Sequence, residues 1–189
     1  MSRKLLVPLV LAIVAFCAAF QVVLVPTGSM ENTILIGDHL LVNRAAYWLR
    51  KVHRGEVVSF VPPGKRNVVY LKRVVALGGD HVEIRDGVVL VNGKSVAEPY
   101  ARHIGRFDQT LSANVPKGEL FMLGDNRERS EDSRNFGTVS EKNVVGKPVM
   151  VLWSFSFPTD KWLTSSIAAT YLNHPFDHLR RTRFFRTVQ

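Results

Sequence analysis

VEIRDGVVLVNGKSV, residues Val82–Val96, decides the fold. Val82 and Ile84 alternate with Glu83 and Arg85, and Val88–Val91 is a second short apolar run. Between and after them stand Asp86-Gly87 and Asn92-Gly93, dipeptides that readily adopt the left-handed backbone of tight hairpin turns. The stretch therefore predicts antiparallel strands. Working outward, Glu56–Val61 and Asn67–Ala76 are further β-branched runs parted by the turn-forming Pro62-Pro63-Gly64. Leu120–Leu123 and Val149–Phe155 read as later strands. The expected class is mainly β, a compact barrel-like or sandwich domain with coiled antiparallel sheets. Short helices are expected at Ala45–Val52 and Trp162–Leu172. Residues 97–116 read as an irregular insertion, and residues 175–189 as a basic tail in which arginines interleave with Leu179, Phe184 and Phe185. That tail suits either a membrane interface or a frayed end.

The chain has 189 residues, 46% of them hydrophobic and 22% charged, which suits one folded domain and argues against general disorder. Its single cysteine, Cys17, leaves no internal disulfide and no CxxC motif. Net charge is +9 and the pI near 10.1, a balance that fits an anionic membrane surface or a nucleic acid as well as a solvated basic surface. No zinc-finger spacing or RNA-binding signature accompanies it, so no nucleic-acid partner is expected.

The segment Leu5–Val25, LLVPLVLAIVAFCAAFQVVLV, holds 21 residues without a charge. As a helix, about 20 such residues span a bilayer core of about 30 Å. The run is longer than the apolar part of a cleaved leader, and bulky Phe16 before Cys17 argues against a lipoprotein site. Arg3 and Lys4 precede it, and the first charges after it are Glu31 and Asp38. By the positive-inside rule residues 1–4 are cytoplasmic, residues 5–25 form one transmembrane α-helix, and residues 26–189 lie outside.

Three segments carry chemistry. PTGSMENTILIGDHLLVN, Pro26–Asn43, places Ser29 after a flexible glycine just beyond the apolar run. VVYLKRVVALGGD, Val68–Asp80, sets Lys72 among apolar strand neighbours, where burial lowers a lysine pKa and lets the neutral amine act as a base. GDNRERSEDSRNFG, Gly124–Gly137, is a dense loop in which Asp132 and Arg134 can pair. Taken singly, each has a plainer reading: a turn serine, a snorkelling edge lysine, a salt-bridged surface loop. The six histidines are scattered, and spacing alone leaves a Ser–His–Asp arrangement open. Neither HExxH nor a His/Cys cluster is present, so no metal or other cofactor is expected.

In this order the segments resemble the bacterial type I signal peptidase family: an apolar span, GSM followed by GD and VN, YLKR with GGD, then GDNRxxSxDSR and FG. The resemblance implies a membrane-anchored serine endopeptidase that removes signal peptides from exported preproteins by Ser/Lys dyad acyl-enzyme chemistry. Ser29 is then the nucleophile and Lys72 the general base. Thr27 assists the Ser29 N–H in the oxyanion hole, Ser130 hydrogen-bonds the lysine amine, and Asp132 with Arg134 supports the site. Val25, Ile34, Leu40 and Tyr70 fall where the family builds shallow pockets for small residues. Implied partners are signal peptides and the lipid bilayer, and the implied location is the cytoplasmic membrane, single-pass. Asn32 stands where the family shows proline, whose loss is expected to loosen the turn. Two alternatives stay open: a maturation peptidase dedicated to one secreted substrate, and a non-enzymatic membrane-tethered β domain that binds partners.

Overall fold

In the computed structural model the described residues are 3–102, 110–156 and 179–188. Helix α1 spans Arg3–Ala19 and runs directly into strand β1, Phe20–Leu24. The apolar run expected as a single transmembrane helix over 5–25 is thus divided. Its 17-residue helix is about 25 Å long at 1.5 Å per residue, and no helix among the described residues is long and apolar enough to cross a membrane. The β-branched Val22 and Val23 find a better outlet in backbone pairing: β1 lies antiparallel to β2, Asp38–Asn43, with Phe20 opposite Asn43 and Leu24 opposite His39.

The remaining strands are β3 (Val57–Phe60), β4 (Tyr70–Leu77), β5 (His81–Arg85), β6 (Val88–Val91), β7 (Lys94–Ser95), β8 (Leu111–Asn114), β9 (Glu119–Leu123), β10 (Val139–Ser140), β11 (Val144–Ser154) and β12 (Arg186–Thr187). A short helix α2, Ser133–Phe136, precedes β10. One sheet runs β1-β2-β11-β3-β4-β9-β10, with β12 beside β11; the second runs β7-β6-β5-β8. Every pairing between these strands is antiparallel. The class is mainly β, as expected.

Strand β11 curls the large sheet. Its first residues pair with β3 and the rest with β2, and register shifts beside Gly146, Pro148 and Val151 bend it. Gly146 is required at the bend, because a Cβ there would sit 2.7 Å from the Asn43 carbonyl oxygen. The two tight hairpins form where the sequence places them. Asp86 and Gly87 have φ of 50° and 79°, Asn92 and Gly93 of 52° and 75°, joining Arg85 to Val88 and Val91 to Lys94.

Val75, Val82, Ile84, Val89, Val91, Phe121 and Leu123 pack the two sheets together. A second cluster of Val25, Met30, Ile34, Leu40, Val42, Val57 and Val151 lies under the turn that follows β1. Burial of several such side chains, each worth roughly 1.5–3 kcal/mol, fixes that turn against the sheet.

Three expectations change. Ala45–Val52 forms successive turns rather than a helix: Asn43 Oδ1 accepts the Ala45 N–H at 2.9 Å, an Asx turn that competes with helical bonding. Within residues 97–116, Leu111–Asn114 is not irregular but forms β8 against β5. The basic tail is docked where it is described, with β12 on β11 and Arg183 buried. The helix expected at Trp162–Leu172 lies outside the described residues.

Candidate active site

The turn after β1 is built by short-range bonds. Val25 N–H donates to the Asp38 carbonyl at 2.9 Å, Gly37 N–H to the Val25 carbonyl at 2.9 Å, and Ile34 N–H to the Met30 carbonyl at 2.8 Å. From the other side Asn126 holds it twice, its N–H reaching the Ser29 carbonyl at 3.1 Å and its Nδ2 the Gly28 carbonyl at 3.0 Å. Ser29 is therefore buried on a turn whose backbone is tied at both ends. Asn32 adopts φ of 99°, a conformation proline cannot reach, and its Nδ2 donates to the Tyr100 carbonyl at 3.3 Å. The expected loosening is replaced by a different, side-chain-anchored turn.

Strand β4 buries neighbouring residues of both faces. Lys72 and Arg73 are each only 3% exposed, pointing opposite ways from consecutive positions. Lys72 Nζ donates to Ser29 Oγ at 2.6 Å. Burial pushes the lysine pKa down from 10.5 to about 8, against the upward pull of the Asp132, Glu131 and Asp125 carboxylates. Desolvation wins, so about one molecule in ten carries a neutral amine at pH 7. When the amine is neutral the same contact runs in reverse, with the serine hydroxyl donating to Nζ. That is the geometry proton abstraction needs.

The loop after β9 braces the pair. Asp132 caps α2, accepting from Arg134 N–H and from Gly124 N–H at 2.9 Å. Arg134 grips it with Nε and Nη2, each at 2.7 Å, and donates to the Arg127 carbonyl at 2.6 Å. The expected Asp132–Arg134 pair is present. Ser130 is placed differently from expectation: its buried Oγ makes no hydrogen bond among the described residues, to Lys72 or to anything else. It is packed against Gly124, where a Cβ would stand 2.6 Å from the Ser29 carbonyl oxygen, so only glycine lets this loop approach Ser29.

Beside Ser29 opens a cavity of about 320 Å³ lined largely by apolar groups, among them Val23, Val25, Met30, Val69, Tyr70 and Leu71. Thr27, Ser29 and Lys72 also line it, so the dyad faces the space where a peptide can lie. Of the four expected pocket residues, Val25 and Tyr70 form its wall. Ile34 and Leu40, both 0% exposed, do not; they sit in the core beneath. Thr27 is exposed, and its hydroxyl makes no hydrogen bond among the described residues. Those residues hold no group of three His, Cys, Asp or Glu side chains arranged for a metal ion.

A serine bonded to a buried lysine at the mouth of an apolar cleft is a peptidase geometry, and comparison with known proteins agrees. The family described as signal peptidase, peptidase S26, matches residues 1–153. The chain belongs to that family. Signal peptidase I V of Bacillus subtilis (strain 168) is 40% identical over 153 residues, 74% of this chain and 90% of its own length. Signal peptidase I of Bacillus licheniformis is 32% identical over 164 residues, 82% of this chain and 88% of its own. The crystal structure of a signal peptidase I from Enterococcus faecalis V583 is 32% identical, covers 52% of this chain and 97% of its own, and has a TM-score of 0.46.

Several residues that shape this peptidase site were not singled out from sequence. Arg73 forms a buried pair with Asp125, and Thr33 Oγ1 donates to the same carboxylate at 2.6 Å. The Arg73 guanidinium also lies 3.9 Å from the Tyr100 ring centre. Arg183 pairs with Asp38 at the start of β2, and Arg127 with Glu98. One signal was available. Arg73 stands beside Lys72 in a strand whose other residues are largely apolar, and a charge so placed is buried only with a partner. The partner's identity depends on the fold and could not be read locally. At the cleft rim Lys65 Nζ donates to the Tyr70 hydroxyl at 2.6 Å and to Glu131 at 2.8 and 2.9 Å, tying the β3–β4 turn to the Ser130 loop.

Proposed function

We propose that this chain is a membrane-anchored serine endopeptidase that removes N-terminal signal peptides from exported preproteins, with Ser29 as nucleophile and Lys72 as general base. The observation that carries the reading is the 2.6 Å contact between Lys72 Nζ and Ser29 Oγ, made by a lysine whose burial lowers its pKa to about 8. A lysine serving only as a surface charge gains nothing from that burial.

Neutral Lys72 takes the Ser29 hydroxyl proton as Oγ bonds to the scissile carbonyl carbon. The Ser29 N–H and the Thr27 hydroxyl hold the oxyanion; the exposure of Thr27 on the cleft wall supports that role. The C–N bond breaks, the lysine proton passes to the leaving amine, and an acyl-enzyme remains. Lysine then removes a proton from water, which attacks the ester and frees Ser29. Ser130, whose Oγ is buried without a hydrogen bond among the described residues, is the hydroxyl assigned to the lysine amine in this reading, a contact the resting site does not make. Val25 and Tyr70 line the pockets for small signal-peptide residues, backed by Ile34 and Leu40.

The anchor is α1, whose apolar side chains from Leu6 to Phe16 are largely exposed to their surroundings. With Arg3 and Lys4 in its first turn, the N-terminus is cytoplasmic and the catalytic domain lies across the membrane. Tethering raises the local concentration of a signal peptide held in the same bilayer. The test is cleavage of purified preproteins. Wild type releases the mature chain at one site, and Ser29→Ala and Lys72→Ala leave it uncut. Equal cleavage by both variants overturns the dyad; no cleavage of several unrelated preproteins by wild type overturns the general role.

A further inference from the structure

The loop joining β2 to β3 carries an exposed apolar apex. Trp48 is 71% exposed and Leu49 100% exposed. This is not a frayed tip. Its two sides are bolted together by Glu56, which accepts from the Tyr47 hydroxyl at 3.2 Å, Arg50 at 2.9 and 3.1 Å, the His53 N–H at 3.1 Å and Lys147 at 2.7 Å. The Arg50 guanidinium also rests over the Tyr47 ring, 4.8 Å from its centre. A loop so braced holds a tryptophan and a leucine in solvent by construction. Two large apolar side chains at one apex favour leaving water.

What covers them follows from position and charge. The loop starts at Arg44, whose N–H donates to the Ala19 carbonyl at 2.7 Å, the last residue of α1. The apex thus springs from the end of the sheet where the apolar helix enters, and the opposite end of β1 leads to Ser29. Exposed Arg44 and Lys51 flank the apex. An indole and a leucine between cations fit the headgroup region of an anionic bilayer, where tryptophan is enriched and nearby basic residues are attracted to the surface charge.

We infer that the Trp48–Leu49 apex is a second membrane contact, seated in an anionic lipid surface beside α1. The inference rests on the anchored reading of α1 and goes beyond it. One helix leaves the domain free to pivot; a second point fixes its tilt, and with it the height of Ser29 over the lipid.

The test uses the full chain carrying Trp153→Phe and Trp162→Phe, so that Trp48 is the sole indole, reconstituted in vesicles of phosphatidylglycerol with phosphatidylcholine. The expected result is a blue-shifted Trp48 emission, quenched by bromine-labelled lipid, with weaker quenching in pure phosphatidylcholine. A chain that floats with the vesicles while Trp48 keeps the emission of a water-exposed indole overturns this inference and leaves the anchor standing. Failure to float overturns both. In the otherwise unaltered chain, Trp48→Ser with Leu49→Ser slows cleavage of a bilayer-held preprotein about fivefold while a short soluble peptide in detergent is cut at the wild-type rate. Equal slowing of both substrates makes the apex structural and overturns the proposal. A wild type that cuts neither overturns the peptidase reading, and the Trp48 emission still decides this one.

Discussion

Arg73 and Asp125 are locked together beneath the nucleophile turn, Nε and Nη2 reaching the two carboxylate oxygens at 2.9 and 2.8 Å. Lys72 and Arg73 are consecutive in the chain, so the strand that presents Lys72 to Ser29 on one face clamps the loop of Asp125 on the other. Replacing Arg73 with Met leaves Asp125 as a buried charge. The expected loss is about 3–5 kcal/mol of stability, read by thermal unfolding in detergent, together with most of the activity. A stable, active Arg73→Met enzyme contradicts this role.

Lys72 is held at a cost to stability. Its pKa is about 8 in the fold against the ordinary 10.5, so between those two values the unfolded chain binds more protons and stability rises with pH. Below about pH 8 the full penalty applies, on the order of 3 kcal/mol. Lys72→Met is therefore expected to be inactive yet more stable than wild type at pH 7, with the difference shrinking as pH approaches 10.5.

In the proposed mechanism the same lysine sets the acid limb of the activity profile. Cleavage of a soluble peptide should rise with pH through about 8 as the amine loses its proton. Glu131 pulls that pKa upward from the cleft rim, so Glu131→Gln should move the limb to lower pH. A limb unmoved, or moved upward, would count against the electrostatic account.

Asn32 tests the turn directly. With φ of 99°, Asn32→Gly should be tolerated or mildly stabilising, whereas Asn32→Pro forces a rearrangement expected to lose about 1–3 kcal/mol. Thermal unfolding of the two variants separates them.

Gly124→Ala should inactivate the enzyme with less effect on folding, since its Cβ would press on the Ser29 carbonyl oxygen 2.6 Å away. Residual activity and unfolding temperature, measured together, check this. Ser130→Ala, in contrast, removes a hydroxyl with no resting partner among the described residues, so stability should hold while turnover falls.

The hairpins and the central strands were legible because local chemistry specifies them: Asp86-Gly87 and Asn92-Gly93 can hardly form anything else. The serine–lysine pair was not legible locally, a turn serine and a strand lysine each having a plainer reading; the order of the three segments, and the family it resembles, singled them out. The boundary between α1 and β1 was not legible, because Phe20–Leu24 is as apolar as the residues before it and only pairing with β2 makes it a strand. Leu111–Asn114 has no strand signature and is recruited by the free edge of β5. Ile34 and Leu40 were assigned to the pocket wall by the family resemblance alone; which apolar residues face a cavity and which lie behind it depends on how the sheet curls. The arginine–aspartate pairs were invisible for a related reason, their partners lying 52 and 145 positions apart.

The Arg183–Asp38 pair sets a timetable for maturation. Asp38 opens the strand that backs the nucleophile turn and is fully buried, yet its cation arrives 145 residues later, donating from Nε at 2.9 Å. A nascent chain emerging from its amino end has made the serine, the lysine and the loop that braces them long before it makes Arg183. Until then Asp38 must stay hydrated or unpaired, and the segment around Ser29 cannot settle. The buried charge at the start of β2 is therefore paired only once Arg183 has been made, whatever the state of the residues before it.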